Sequence, residues 1–190
     1  MTQALEVSCN TYFINLIMKT DVDLLMKLCA DMGLGQSVTL ASKIKCSAGT
    51  LPTKKSLEIK GNLANFAFGQ GDFSASPLQI ASVYHTLSTG NAITPKLVLG
   101  LTNYMGLMTK EPSTSQRKVL SDETVLKLKT MLSAVGESYC LTDASGKTGT
   151  AQITSGEAGH YLGSMVAYFP AENPRYTVLT TIRTKQQAGK

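Results

Sequence analysis

No segment of this chain is apolar for long enough to cross a bilayer. The segment that comes nearest, Tyr12 to Met18, is far shorter than the roughly 20 residues a spanning helix needs. No basic-apolar-small signal pattern opens the chain, so the anchor of any membrane-bound form is expected outside this sequence. Histidine is scarce, with only His85 and His160, and no C-x-x-C is present. Cys9, Cys29, Cys46 and Cys140 therefore lack the ligand spacing that holds zinc, which excludes a metal site. A chain of 190 residues does not need a disulfide scaffold, and buried free thiols are expected. Internal repeats and low-complexity tracts are absent. The net charge of +5 arises from scattered lysines. With no basic stripe interleaved with aromatics, it excludes nucleic acid and suits an anionic, carboxylate-bearing ligand weakly.

What is present has the composition of a compact core, with 43% hydrophobic and 16% charged residues in a length near that of a single domain. The pattern predicts helices over Asn10–Lys19 and Asp21–Met32. The second carries Val22, Leu24, Leu25, Leu28 and Met32 at helical spacing, with Gly33 where a left-handed terminating residue sits. Residues 35–62 are irregular, rich in Ser, Thr, Lys and Gly, and read as a surface excursion bordering a cleft. Ser76-Pro77-Leu78-Gln79 starts a helix with a capping box and Pro in the first turn, ended by Gly90. A further helix begins at Ser121, with Asp122 and Glu123 at its positive end, and runs to Val135 before Gly136. Residues 144–154, 162–169 and 176–184 have strand composition, and Pro170–Pro174 forms a tight connection between the last two. Helices first and an antiparallel sheet last predict an α+β fold, with a mainly helical part over 1–136 and a sheet part over 137–190.

Two short motifs carry the chemistry. Ser145-Gly146-Lys147-Thr148-Gly149-Thr150 puts a cation and a hydroxyl on one strand, the natural anchor for a substrate carboxylate held while a neighbouring carbonyl is attacked. Gly149 removes a side chain where a substrate and the catalytic groups need close approach, and Thr150 would direct a backbone N–H at a developing oxyanion if this strand borders a cleft. A substrate along that strand can also add to the sheet edge through main-chain hydrogen bonds. Ser8-Cys9-Asn10 supplies a hydroxyl able to relay a proton and a carboxamide able to hold an amide and a lysine.

Together these resemble the S-x-N and K-T-G signatures of the penicillin-binding protein transpeptidase domain. The likeness extends beyond the motifs. Ala4 to Phe13 is similar to the family segment around S-x-N, and Phe68-Gly69-Gln70-Gly71 with Ser76 to Ala81 resembles the glycine-rich turn and helix of class B members. Tyr168 to Tyr176 is similar to their closing hairpin, although Ala167 stands where the family commonly has glycine. The resemblance implies a β-lactamase/transpeptidase-like fold and a serine-type D,D-transpeptidase that cross-links peptidoglycan stem peptides and is acylated by β-lactams. It implies that Ser8, Asn10 and Lys147 are catalytic, that Thr148, Gly149 and Thr150 bind substrate, and that no cofactor is used. It also implies a location on the extracytoplasmic, periplasmic face of a bacterial membrane.

The family's nucleophile, in S-x-x-K, belongs well upstream of Ser8, where only seven residues stand. The chain is thus expected to be a fragment short at both ends, inactive alone, and prone to self-association through exposed sheet edges. Ser115-Gln116-Arg117-Lys118 falls between the other motifs, in the wrong order and beside Pro112, and is a chance match. A phosphate-binding loop is excluded because Leu141 stands where G-x-x-x-x-G-K-T needs glycine. His85 and His160 lack the partners of a catalytic base. Two alternatives remain at this point: a serine β-lactamase or β-lactam sensor of the same fold, and a non-catalytic interaction module.

Overall fold

The computed structural model describes residues 1–41, 43–110, 114–153 and 160–185. Three helices open the chain: α1 (Thr2–Glu6), α2 (Asn10–Ile17) and α3 (Val22–Asp31). Asp21 caps α3, its carboxylate accepting from the N–H groups of Asp23 (2.8 Å) and Leu24 (3.2 Å), and Gly33 beyond its end has φ +87°. Leu24 departs from the expected inward stripe. It is exposed, and Met26 packs on the core instead.

The stretch 35–62 is more regular than its composition predicts. A hairpin of β1 (Val38–Ala41) and β2 (Ile44–Cys46) is followed by the short helices α4 (Lys54–Leu57) and α5 (Lys60–Phe66). Their apolar residues sit too far apart in sequence to show a period, but Leu57 and Leu63 meet Ile17 of α2 in a buried cluster, with Val22, Leu25 and Phe66 around it. Tertiary burial, not local propensity, makes these two helices.

The helix α6 (Pro77–Thr89) has the predicted capping box, with the Ser76 hydroxyl accepting from Gln79 N (3.3 Å) and Ser76 N donating to Gln79 Oε1 (2.9 Å). Gln79 does more than cap. Its buried Nε2 donates to the carbonyls of Gly33 (3.0 Å), Gln36 (3.3 Å) and Ala48 (2.9 Å), tying two loop segments to one helix start. Gly90 ends α6 in the left-handed conformation, φ +78°.

Four short strands then interrupt the helices-first order: β3 (Asn91–Ile93), β4 (Gly100–Thr102), β5 (Met108–Lys110) and β6 (Gln116–Lys118). They pair antiparallel as β3–β6 and β4–β5, so the described residues of the part over 1–136 form three two-stranded sheets besides its helices.

Helix α7 (Asp122–Ser138) starts at the Ser121 cap as predicted but passes through Gly136. A Cβ at Gly136 would stand 2.3 Å from the Ala144 carbonyl oxygen. This glycine lets the helix lie against the next strand and does not terminate it.

The final sheet is antiparallel, β7 (Ser145–Gln152), β8 (Tyr161–Phe169) and β9 (Tyr176–Thr184), in the order β7-β8-β9. It matches the three predicted strands; Thr154, at the expected end of the first, lies outside the described residues. Helix α7 packs on β7 and α6 packs on β8 and β9, burying Val135, Val166 and Tyr168. Helix α1 rests on α7. The result is an α+β fold with its helices laid on one sheet. The cysteines depart in part from the expected buried free thiols: all four are free, but Cys9, Cys29 and Cys46 are half-buried and Cys140 is exposed.

Candidate active site

The first wall is a helix terminus. Where α1 ends, Ser8 N donates to Leu5 O (3.2 Å) and Cys9 N donates to Ala4 O (2.8 Å). This is the Schellman pattern, which asks for a left-handed residue at the position Ser8 occupies. Ser8 has φ +51°, a conformation that costs a non-glycine residue roughly 1 kcal/mol. The turn aims its hydroxyl across the chain and leads through Cys9 into Asn10, the first residue of α2.

The second wall is β7. Its strand partner on one side is β8, with Lys147 opposite Val166 and Thr148 opposite Met165; its other side has no strand partner among the described residues. Lys147 Nζ donates to Ser8 Oγ at 2.5 Å and to the Thr148 carbonyl at 3.0 Å. The two motifs, distant in sequence, thus meet. Because the ammonium donates to it, Ser8 acts as acceptor in this contact, and its own O–H is directed elsewhere. Lys147 is half-buried. Partial removal from water strengthens the attraction between its charge and any carboxylate that enters.

The structure also supplies a residue that the motifs do not announce. Tyr139, just past α7, makes a 2.5 Å hydrogen bond between its hydroxyl and Thr148 Oγ1. The contact fixes the rotamer of the proposed carboxylate-binding hydroxyl. No sequence signal exposed it, because a lone tyrosine in a connection has no pattern.

The other predicted residues lie on the same two walls. Asn10 is exposed at the start of α2, two residues from the Lys147–Ser8 contact, and its side chain makes no hydrogen bond among the described residues. Gly149 and Thr150 are exposed on β7. A Cβ at Gly149 would meet nothing within 4 Å, so this glycine accommodates no part of the chain itself. The glycine required by internal packing is Gly146, where a Cβ would come 2.5 Å from the Val166 carbonyl oxygen.

Residues set aside in the sequence are engaged elsewhere. Ser115 bonds Thr94 through their hydroxyls (2.9 Å), Lys118 pairs with Asp122, and Arg117 bridges to Asp31 of α3 at 3.1 Å. Pro112 lies outside the described residues. The hydrogen bond from Lys27, with the Arg117 charge beside it, lowers the Asp31 carboxyl below the usual range. His85 faces a small cleft of about 200 Å³ between α6 and the start of β9, and burial pushes its pKa down. His160 directly precedes β8. Among the described residues no cluster of His, Cys, Asp and Glu could hold a metal, and no helix is long and apolar enough to cross a membrane.

Two motifs meeting at one contact narrow the comparison with known proteins. The model of the penicillin binding protein transpeptidase domain matches residues 1–190. The chain belongs to this family. A peptidoglycan D,D-transpeptidase FtsI homolog of Mesostigma viride is 27% identical, with 96% of this chain and 35% of the relative covered. Peptidoglycan D,D-transpeptidase MrdA of Acinetobacter baumannii is also 27% identical, with 100% of this chain and 32% of the relative covered. The chain therefore spans about a third of the length of these relatives.

Solved penicillin-binding proteins share the fold. The crystal structure of PBPA from Mycobacterium tuberculosis has a TM-score of 0.84 at 22% identity, covering 95% of this chain and 42% of that one. Apo penicillin-binding protein 3 from the same organism has a TM-score of 0.81 at 24% identity, covering 100% and 46%. The expected β-lactamase/transpeptidase-like architecture is thereby established for the transpeptidase-domain chain.

Proposed function

We propose that this chain is the S-x-N and K-T-G portion of a class B-like D,D-transpeptidase, which cross-links peptidoglycan stem peptides through a serine acyl-enzyme. The supporting observation is the 2.5 Å contact of Lys147 Nζ with Ser8 Oγ, which joins two motifs separated by 139 positions. A peptide ending in D-Ala-D-Ala would lie along the open side of β7. Its carboxylate would be held by the Lys147 ammonium and the Thr148 hydroxyl, and the space beside Gly149 would admit its backbone. The Thr150 N–H would face the oxyanion. A serine from an upstream S-x-x-K would add to the penultimate carbonyl, and the terminal amine would leave with a proton relayed through Ser8. Asn10 would orient the substrate amide. Without such a serine the chain catalyses nothing.

In this reading the same site takes β-lactams, and the intact protein works on the extracytoplasmic, periplasmic side of the membrane to which it is anchored. The test is labelling of the full-length protein by a fluorescent penicillin. Lys147→Ala is expected to slow labelling by about a hundredfold, through loss of a charge-assisted contact to the carboxylate. Unchanged labelling would remove Lys147 from the site. Rapid hydrolysis of the acyl-enzyme would mark a β-lactamase instead, and absence of any labelling an interaction module.

A further inference from the structure

The cleft of about 200 Å³ beside His85 shares no residue with the Lys147–Ser8 contact. Leu78, Ser82 and His85 line it from α6, where the spacing i, i+4, i+7 puts them on one helix face. Ile93 of β3 and Pro174 add apolar surface, and Arg175, immediately before β9, adds a cation. No lining residue is acidic.

These polar groups are held in place with their bonding capacity unspent. Among the described residues the Ser82 hydroxyl, the His85 imidazole and the Arg175 guanidinium make no hydrogen bond or ion pair. The backbone carrying Arg175 is nevertheless fixed, its N–H donating to Phe169 O at 2.9 Å, and Tyr176 beside it stacks on Phe169 with ring centroids 5.1 Å apart. A few convergent polar groups over apolar walls are the composition of a small-ligand site.

The charges set the ligand's chemistry. Burial lowers the His85 pKa with no neighbouring carboxylate to oppose it, so the imidazole is uncharged near neutral pH. Arg175 is then the one fixed charge lining the cleft, which matches a monoanion better than a phosphate dianion, and a planar carboxylate fits the guanidinium fork. Drug-sized ligands take clefts of roughly 300 to 1,000 Å³, so this one suits a smaller molecule. We propose that the cleft binds a small organic monocarboxylate, its carboxylate paired with Arg175 and its apolar body against Ile93 and Pro174. The inference is independent of the catalytic reading.

Phenylacetate is the probe, and phenylacetamide, of the same size without the charge, is its control. The chain has two histidines, so the His85 imidazole signal in nuclear magnetic resonance is identified as the one lost in His85→Gln. Phenylacetate at about millimolar concentration is expected to move that signal along a saturating curve. Lys147→Ala is expected to leave this shift unchanged, which separates the cleft from the carboxylate site proposed on β7. Arg175→Gln, at an exposed side chain with no partner to lose, is expected to weaken binding by about tenfold with the circular dichroism spectrum unchanged. Phenylacetamide is expected to bind about tenfold more weakly than phenylacetate, and equally to the native chain and the Arg175 variant. A stationary His85 signal overturns the proposal, as does a shift abolished by Lys147→Ala. Equal affinity for acid and amide, or undiminished binding by Arg175→Gln, overturns the pairing of a carboxylate with Arg175 and the proposal with it.

Discussion

Ser8 sits where the backbone favours glycine and the site favours a hydroxyl. Its φ of +51° closes the Schellman turn of α1, and its Oγ receives the Lys147 ammonium. Ser8→Gly is therefore expected to raise stability by about 1 kcal/mol in denaturant titration, by relieving the Cβ penalty, while removing the contact on which the site depends. A loss of stability would show that the Lys147 contact outweighs the backbone strain. Tyr139 poses a complementary case. Tyr139→Phe keeps the ring and removes the hydroxyl that holds Thr148 Oγ1, so acylation of the full-length protein by carboxylate-bearing β-lactams is expected to slow by about tenfold with little change in stability. The same substitution should leave acylation by the corresponding carboxylate esters nearly unchanged. A general structural defect would slow both.

Helix α7 and strand β7 show how an element is positioned by what it lacks. Gly136 in the last turn of α7 and Gly146 at the second position of β7 are both places where a Cβ would collide with a carbonyl oxygen, at 2.3 Å and 2.5 Å. Gly136→Ala would normally strengthen a helix by up to about 1 kcal/mol. Here it is expected to destabilise the fold by about 2 kcal/mol, because α7 must move away from β7. Thermal unfolding of the variant checks the sign. The boundaries of α3, α6 and β7–β9 were legible in the sequence through their caps, apolar spacing and β-branched composition. The path of α7 through Gly136 was not, since a glycine that ends a helix and one that allows close packing are spelled alike. Likewise α4 and α5 became visible only where Leu57 and Leu63 found Ile17.

At the scale of the whole molecule, the sheet ends on both sides in strands whose outer edges have no partner strand among the described residues, and β9 exposes Tyr176, Val178 and Ile182. Such edges recruit other chains. The 190-residue chain is expected to self-associate at micromolar concentration, with Ile182→Lys reducing the mass seen by light scattering. A monomer in both cases would show the edges to be inert. By itself the sequence determined the chemistry on offer: a cation and hydroxyl in K-T-G, a hydroxyl and carboxamide in S-x-N, and the order of elements that carries them. Those are properties of residue type and local spacing, which a linear string records directly. Only the tertiary structure decided that Lys147 reaches Ser8, that Tyr139 steadies Thr148, and that Gly149 opens to solvent while Gly146 packs inside. Such facts depend on distances between segments far apart in the chain, set by how α1, α7 and β7 stack, and no local pattern encodes them.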